Sequence, residues 1–193
     1  MKVQLKNMRL CFAQNLFVAK AFANDPESTE KFQLEGLIEP GSESHLLMKK
    51  AIAEAAAKEW GDKADATLKA VAAAGKIWCL RDGDAKERPE YHGKLIVSAK
   101  NQIRPTIINR TRAPLTLQDG VIYSGCYGNA IIEVKAGSKP SKQVYAYLLG
   151  FQFAEDGERL GGSVASADDF EEIPDAGVAK AAESGKGAGS IFE

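Results

Sequence analysis

The 193-residue sequence predicts a small, mainly antiparallel β barrel with one helical insertion and an acidic tail. Three observations lead there. Short stretches of alternating apolar and polar residues recur through residues 1–162, separated by Gly-, Pro-, Asn- and Asp-rich turns, as strands and hairpins require. One block between about 43 and 75, rich in Ala, Leu, Lys and Glu, breaks that rhythm with helix-forming residues. The stretch 163–193 has few large apolar side chains and much Gly, Ala, Ser and acid, too little apolar surface to offset the entropy of ordering it.

The elements follow in order. Lys2 to Phe17 reads as one long strand or a strand with a bulge, because Val3 and Leu5 share a parity that shifts by Met8, Leu10 and Phe12. Ala21 to Thr29 is a turn or loop by its Asn, Asp, Pro and Ser content. Lys31 to Ile38 alternates again, with Phe32, Leu34 and Ile38 inward, until Pro40 and Gly41 stop it. Ser42 or Ser44 caps a helix from near Glu43 to about Trp60, with Leu47, Met48, Ala51, Ile52, Ala55 and Ala56 as its apolar stripe. A second Ala-rich helical stretch ends at Gly75, and a short strand beginning IWCL gives way to a polar loop closed by Pro89 and Gly93.

Residues 94–100, KLIVSAK, form a strand with Leu95, Val97 and Ala99 on one side and Lys94, Ile96, Ser98 and Lys100 on the other. Pro105 interrupts that strand and TIINR resumes it, which puts Arg104 at an edge or bend. After Gly120, VIYSGCYGNAIIEVKA is one alternating strand in which Val121, Tyr123, Gly125 and Tyr127 share a face, with Gly125 and Gly128 marking a bulge or close approach. GSKPSK turns the chain into the last strand, QVYAYLLGFQF, and EDGERLGG is a hairpin-type turn. Six or so strands around one insert fit a partly open five-stranded barrel.

The net charge of −1 hides an asymmetry, since residues 1–162 hold 23 Lys and Arg against 19 Asp and Glu, while 163–193 hold 2 against 7. A basic body precedes an acidic tail. Cys11, Cys79 and Cys126 are odd in number and lack CxxC or CxxH spacing, so neither a disulfide framework nor a zinc site is expected and the compartment is expected to be reducing. The first ten residues lack the apolar core of a signal peptide and no stretch reaches the roughly 18 apolar residues of a membrane helix, so the expectation is a cytoplasmic protein without a membrane partner.

Residues 91–118 contain Lys94, Lys100, Arg104, Arg110 and Arg112 and no acid. A cationic strand face beside aromatic side chains is the composition a polyanion groove for unpaired nucleic acid requires: cations neutralise phosphates and release counterions, and rings stack on bases. The phosphate candidates are Arg81, Arg88, Lys94, Lys100, Arg104, Arg110 and Arg112; the stacking candidates are Tyr91, Tyr123, Tyr127 and Tyr147, with Tyr145 at the same parity. Phe12, Phe32, Phe151 and Phe153 are assigned to the core.

Catalysis has weaker claims. Asp82 and Asp84, with Glu87 or Asp156 as a third carboxylate, are the material of a metal-dependent nuclease, but the RDGD run reads better as a turn. His45 and His92 have no nucleophile partner in pattern, and Gly161 and Gly162 lead into no phosphate loop. No cofactor and no metal are expected. A binder of RNA, or an assembly protein on the same fold, is the remaining alternative.

The runs LRDGD at 80–84, YSGCYGNAIIEV at 123–134, DGERLGG at 156–162 and ADDF at 167–170 together resemble the bacteriophage single-stranded-DNA-binding proteins first catalogued as a domain of unknown function. The resemblance implies an OB barrel with a helical insertion, a functional likeness to the T7-type phage protein, sequence-independent binding in phage DNA replication or recombination, and no catalysis. The tail residues Asp168, Asp169, Phe170, Glu171, Glu172, Ile173 and Pro174 resemble the acidic, aromatic-bearing tips that recruit replication enzymes such as polymerase, helicase or primase. Unlike such tips, this one is followed by further chain, closing on Ile191, Phe192 and Glu193. Phe192 is thus a second candidate for the tip, and a homodimer is compatible with this reading.

Overall fold

Alternation builds the sheet. In the computed structural model, which describes residues 1–21 and 28–161, seven strands form one sheet in the order β3-β4-β2-β1-β6-β7-β5. They are β1 (Lys2–Cys11), β2 (Phe32–Ile38), β3 (Leu80–Asp82), β4 (Leu95–Asn101), β5 (Thr106–Ile108), β6 (Tyr127–Gly137) and β7 (Gln143–Glu155). Two helices, α1 (Glu43–Trp60) and α2 (Ala64–Ala73), fill the connection from β2 to β3. Met1–Gly161 forms one compact unit, and the tail residues proposed above, Asp168 to Glu172 and Phe192, lie outside the described residues.

The expected five-stranded barrel is corrected to a seven-stranded open sheet. The additional count comes from two three-residue edges. β3 pairs antiparallel with β4, and β5 does not resume β4 but crosses to the far side of the sheet, where Thr106–Ile108 lies parallel to Gly150–Gln152 of β7. Pro105, which has no N–H to offer a ladder, sits at the break. The sheet nevertheless curls: Trp78 N donates to Val144 O at 2.8 Å and Val144 N to Lys76 O at 3.0 Å, clasping the chain just before β3 onto the start of β7.

The parity shift read in the first strand is a bulge between Leu5 and Met8, with Asn7 at φ 51°. A helix holds it there. Ser42 is the N-cap of α1, its hydroxyl accepting from His45 N at 3.2 Å, which frees buried Ser44 to accept from Lys6 N and donate to Lys6 O, both at 2.9 Å. The stripe Met48, Ala51, Ile52 and Ala55 then packs into the core with Leu5, Leu10, Leu34, Val97, Ile132, Val134, Leu148 and Phe151, and Ala56 is buried beside it in sequence. Burial of this apolar surface, at roughly 25 cal/mol per Å², is the main force holding insert to sheet.

Two further expectations change. Phe12–Phe17 does not continue the first strand: Phe12 takes a left-handed conformation (φ 49°) and a short 3-10 helix spans Ala13–Leu16. Val121–Cys126 precedes rather than belongs to the strand of Tyr127, because Gly120 and Gly125 adopt positive φ and bend it. Gly125 N still donates to Leu10 O at 2.8 Å, so the bent segment stays fastened to β1.

Candidate nucleic-acid interface

The face of the sheet opposite the core opens into a cleft of about 960 Å³ across β2, β4 and β3. Register builds its floor: Gln33 lies across from Lys100 and Glu35 from Ser98, while Arg81 enters from β3. Phe12 and Asn15 of the 3-10 turn stand on one side. Trp78, Gln143, Tyr145 and Tyr147 stand on the other, and Lys31, Asn101 and Gln102 contribute to the lining as well.

Rings in this cleft are open to solvent. Trp78 is 50% exposed, Phe12 45% and Tyr147 38%. Trp78 Nε1 donates to Gln143 Oε1 at 3.2 Å, and Tyr145 and Tyr147 meet edge to face with centroids 5.4 Å apart. Such rings offer apolar faces whose polar edges are already directed, which is what a stacking platform needs.

The electrostatics favour an anion. Burial, and then the charges of Lys31 and Arg81, lower the Lys100 pKa from its ordinary value: the three cations crowd one another. Arg81 Nη2 donates to Ser98 Oγ at 3.0 Å and approaches Glu35 Oε2 at 3.5 Å, whereas its Nε is buried and makes no hydrogen bond in the protein. Glu35, the one carboxylate among the described lining residues, accepts at Oε1 from Tyr91 OH at 2.7 Å. That bond orients Glu35, which in turn steadies Arg81.

Several sequence candidates therefore sit elsewhere. Tyr91 is 2% exposed, packed with Cys11, Leu37 and Ile96, so its assignment to stacking is corrected: its ring is core and its hydroxyl an internal donor. Burial first, then the Cys11 and Glu35 hydrogen bonds, raise the Tyr91 pKa. Tyr123 OH bonds Asp156 Oδ1 at 3.0 Å and the backbone of Gly157, and Arg159 lies 4.3 Å from its ring centroid. Tyr127 is half-buried against Gly157. These two tyrosines hold the 156–160 segment against the sheet, and a Cβ at Gly125 would run into the Glu158 carbonyl of that segment.

The cations divide. Arg81 and Lys100 are in the cleft, and Arg88 reaches its margin through the Phe12 ring, 5.8 Å from the centroid, while pairing with Glu90. Lys94 pairs with Glu39. Arg104, Arg110 and Arg112 belong to the exposed stretch around β5, where Arg110 donates to Ala154 O and lies over Phe153. A single wall carrying all seven is not what the fold builds.

RDGD is a turn. Asp82 Oδ1 accepts from Asp84 N at 3.0 Å, Asp84 Oδ1 from Gly93 N at 2.7 Å, and a Cβ on Gly83 would collide with the Tyr91 and Lys94 carbonyls. Asp156 is engaged with Tyr123, and among the described residues no three His, Cys, Asp or Glu side chains gather as a metal site.

Residues 1–180 match the family model described as Enterobacter phage Enc34, ssDNA-binding protein. The chain belongs to this family. A relative within reach of sequence comparison is putative protein p50 of Acyrthosiphon pisum secondary endosymbiont phage 1, 38% identical over 177 residues, which cover 90% of this chain and 94% of that protein. Among solved structures, the single-stranded DNA-binding protein from bacteriophage Enc34 in complex with ssDNA superposes with a TM-score of 0.61 at 22% identity, over 83% of this chain and 89% of that one. The single-stranded DNA-binding protein gp2.5 encoded by bacteriophage T7 gives 0.52 at 13% identity, over 93% and 98%. At these identities the two structures establish a shared fold.

For a member of the Enc34 family, the cleft adds residues that charge and parity did not single out. Phe12, assigned to the core, faces solvent because the left-handed turn swings it out of the strand's alternation. Trp78 and Lys31 fall within the strand runs read from the sequence but lie just before the observed strands β3 and β2. Gln33, Asn101, Gln102 and Gln143 carry no charge or ring to draw notice, although their clustering near strand ends is a usable signal of a polar groove.

Proposed function

We propose that this protein sheathes single-stranded DNA, with the strand lying in the cleft between the 3-10 turn and β7. Lys31, Arg81 and Lys100 neutralise phosphates, the rings of Phe12, Trp78 and Tyr147 stack on bases, and the amides of Gln33, Asn101 and Gln143 serve sugar and phosphate oxygens. The observation that carries the reading is the meeting of crowded cations with half-exposed rings in one cleft of a chain from a single-strand-binding family. Rings accept every base, so binding is independent of sequence.

The fold that goes with this is an OB-like, curled open sheet, for which the clasp of Lys76 and Trp78 onto Val144 is the supporting feature. The protein acts without catalysis: Asp82 and Asp84 each have one carboxylate oxygen engaged in a turn hydrogen bond. It serves phage DNA replication or recombination in the host cytoplasm, where that DNA is. The acidic residues 168–172 with Phe170, or the end at Phe192, recruit a polymerase, helicase or primase and compete with DNA for the cationic cleft, a role supported by the sign of their charge.

Titrating the intrinsic fluorescence of Trp78 with oligo-dT at several salt concentrations tests this. Saturable binding is expected, with log K falling against log salt by about 0.7 per phosphate contacted, hence about 2 from the three cleft cations. Binding that ignores salt, or none, would refute it. The same labelled strand incubated with magnesium should stay intact.

A further inference from the structure

A second basic groove adjoins the cleft. It lies along α2, has a volume of about 410 Å³, and is lined by Lys63, Ala66, Thr67, Ala70, Val71, Ala74, Lys76 and Lys142. The helical positions recur at intervals of three and four, so one face of α2 forms its wall. No acid is among the described residues that line it. Asp62 and Asp65 stand nearby in sequence without entering the lining. Lys142 Nζ lies 3.5 Å from Thr67 Oγ1, which draws its ammonium over the groove.

Its position relative to the cleft is fixed by the clasp. Lys76 and Trp78 flank Ile77, and both hydrogen bonds of the clasp end on Val144, two residues beyond Lys142 and one beyond Gln143. Lys76 and Lys142 line the groove, whereas Trp78 and Gln143 line the cleft. Two residues of extended chain span roughly 6.6 Å, about one nucleotide's worth of single strand, so a strand leaving the cleft past Trp78 arrives among these lysines.

We propose that the α2 groove is a second binding site for the phosphate backbone of the same single strand, Lys63, Lys76 and Lys142 taking the nucleotides that follow those seated in the cleft. This rests on the single-strand reading above and extends it, making the helical insert part of the DNA path. The wall offers alanines and no ring, so this segment is held by phosphate contacts alone and its bases stay turned to solvent. Binding there is therefore more sensitive to salt, relative to its strength, than binding in the cleft.

The test compares the full-length protein with a Lys63→Gln, Lys76→Gln, Lys142→Gln variant on oligo-dT of about five and about twenty nucleotides, lengths within and beyond a single-fold site. A Lys49→Gln, Lys58→Gln, Lys69→Gln variant, altered at exposed lysines elsewhere on the insert, controls for net charge. The groove variant should keep its affinity for the short strand. For the long strand it should lose on the order of 10- to 100-fold at low salt, with a log–log salt slope shallower by about 2. The control should match the unsubstituted protein on both. Equal losses on both lengths, no loss on the long strand, or the same loss in the control would each overturn the proposal while leaving the cleft reading standing. Failure of the unsubstituted protein to bind either strand would bring down the cleft reading and this one together.

Discussion

Two regions of the molecule carry the same kinds of side chain and use them in opposite ways. In one, Tyr91, Tyr123 and Tyr127 stand near Arg9, Arg159, Glu35 and Asp156, and every tyrosine hydroxyl with a bond in this group finds its partner inside the protein. Arg9 is likewise drawn inward, donating to Glu158 O at 3.0 Å. In the other, Phe12, Trp78 and Tyr147 stand near Lys31, Arg81 and Lys100 with much of each ring exposed. The difference teaches that an aromatic beside a cation is neither core nor binding surface by composition. What decides is whether a neighbouring segment closes over it, as 156–160 does over Tyr123 and Tyr127.

The sharpest way to break the closed region is Gly125→Ala. With φ at 113° and the Glu158 carbonyl in the path of any Cβ, the substitution should cost about 3 kcal/mol or more in urea unfolding, or prevent folding. A loss below about 1 kcal/mol would mean that the 156–160 segment does not seal that region.

Paired alanine substitutions set the two regions against each other. Trp78→Ala should weaken oligo-dT binding by about 1 to 3 kcal/mol with little change in unfolding free energy. Tyr127→Ala should show the reverse, a loss of stability by about 1 to 3 kcal/mol and near-normal affinity among the folded molecules. Matching behaviour of the two variants in both measurements would erase the distinction drawn here.

A further effect, read along the pH axis, follows from the buried thiols. Burial raises Cys11 to about 11 and Cys79 to about 12 from an ordinary 9.0, partly offset at Cys11 by its hydrogen bond with Tyr91. The folded state thus holds protons that the unfolded chain releases. Stability should be level below pH 9, then fall as pH rises through 9 towards 11 to 12. The unfolding midpoint measured from pH 8 to 11 checks this, and a flat profile would place these thiols in contact with water.

Much of the architecture was legible in the sequence because it depends on local patterns. Alternation marked β1, β2, β4, β6 and β7, the bulge was one reading of a change of parity, and a serine at 42 or 44 announced α1, with Ser42 proving to be the cap. The turn at RDGD followed from its composition. What stayed hidden depends on partners far along the chain: that Thr106–Ile108 leaves β4 for β7, and that Tyr91 meets Glu35. The cleft was half legible. Arg81, Lys100 and Tyr147 were found by charge and parity, whereas Phe12 and Trp78 owe their exposure to a left-handed residue and a two-bond clasp, neither of which has a signature in residue type.

The far edge of the sheet bears on how the polypeptide is made. β5 is held by β7, more than forty residues downstream, and not by the strand that precedes it. During synthesis, the basic stretch around Arg104, Arg110 and Arg112 therefore emerges from the ribosome well before its docking strand. Final closure of that edge waits for the chain to reach Gln152, so the nascent protein passes through a stage when its positive loop is the least restrained part of it.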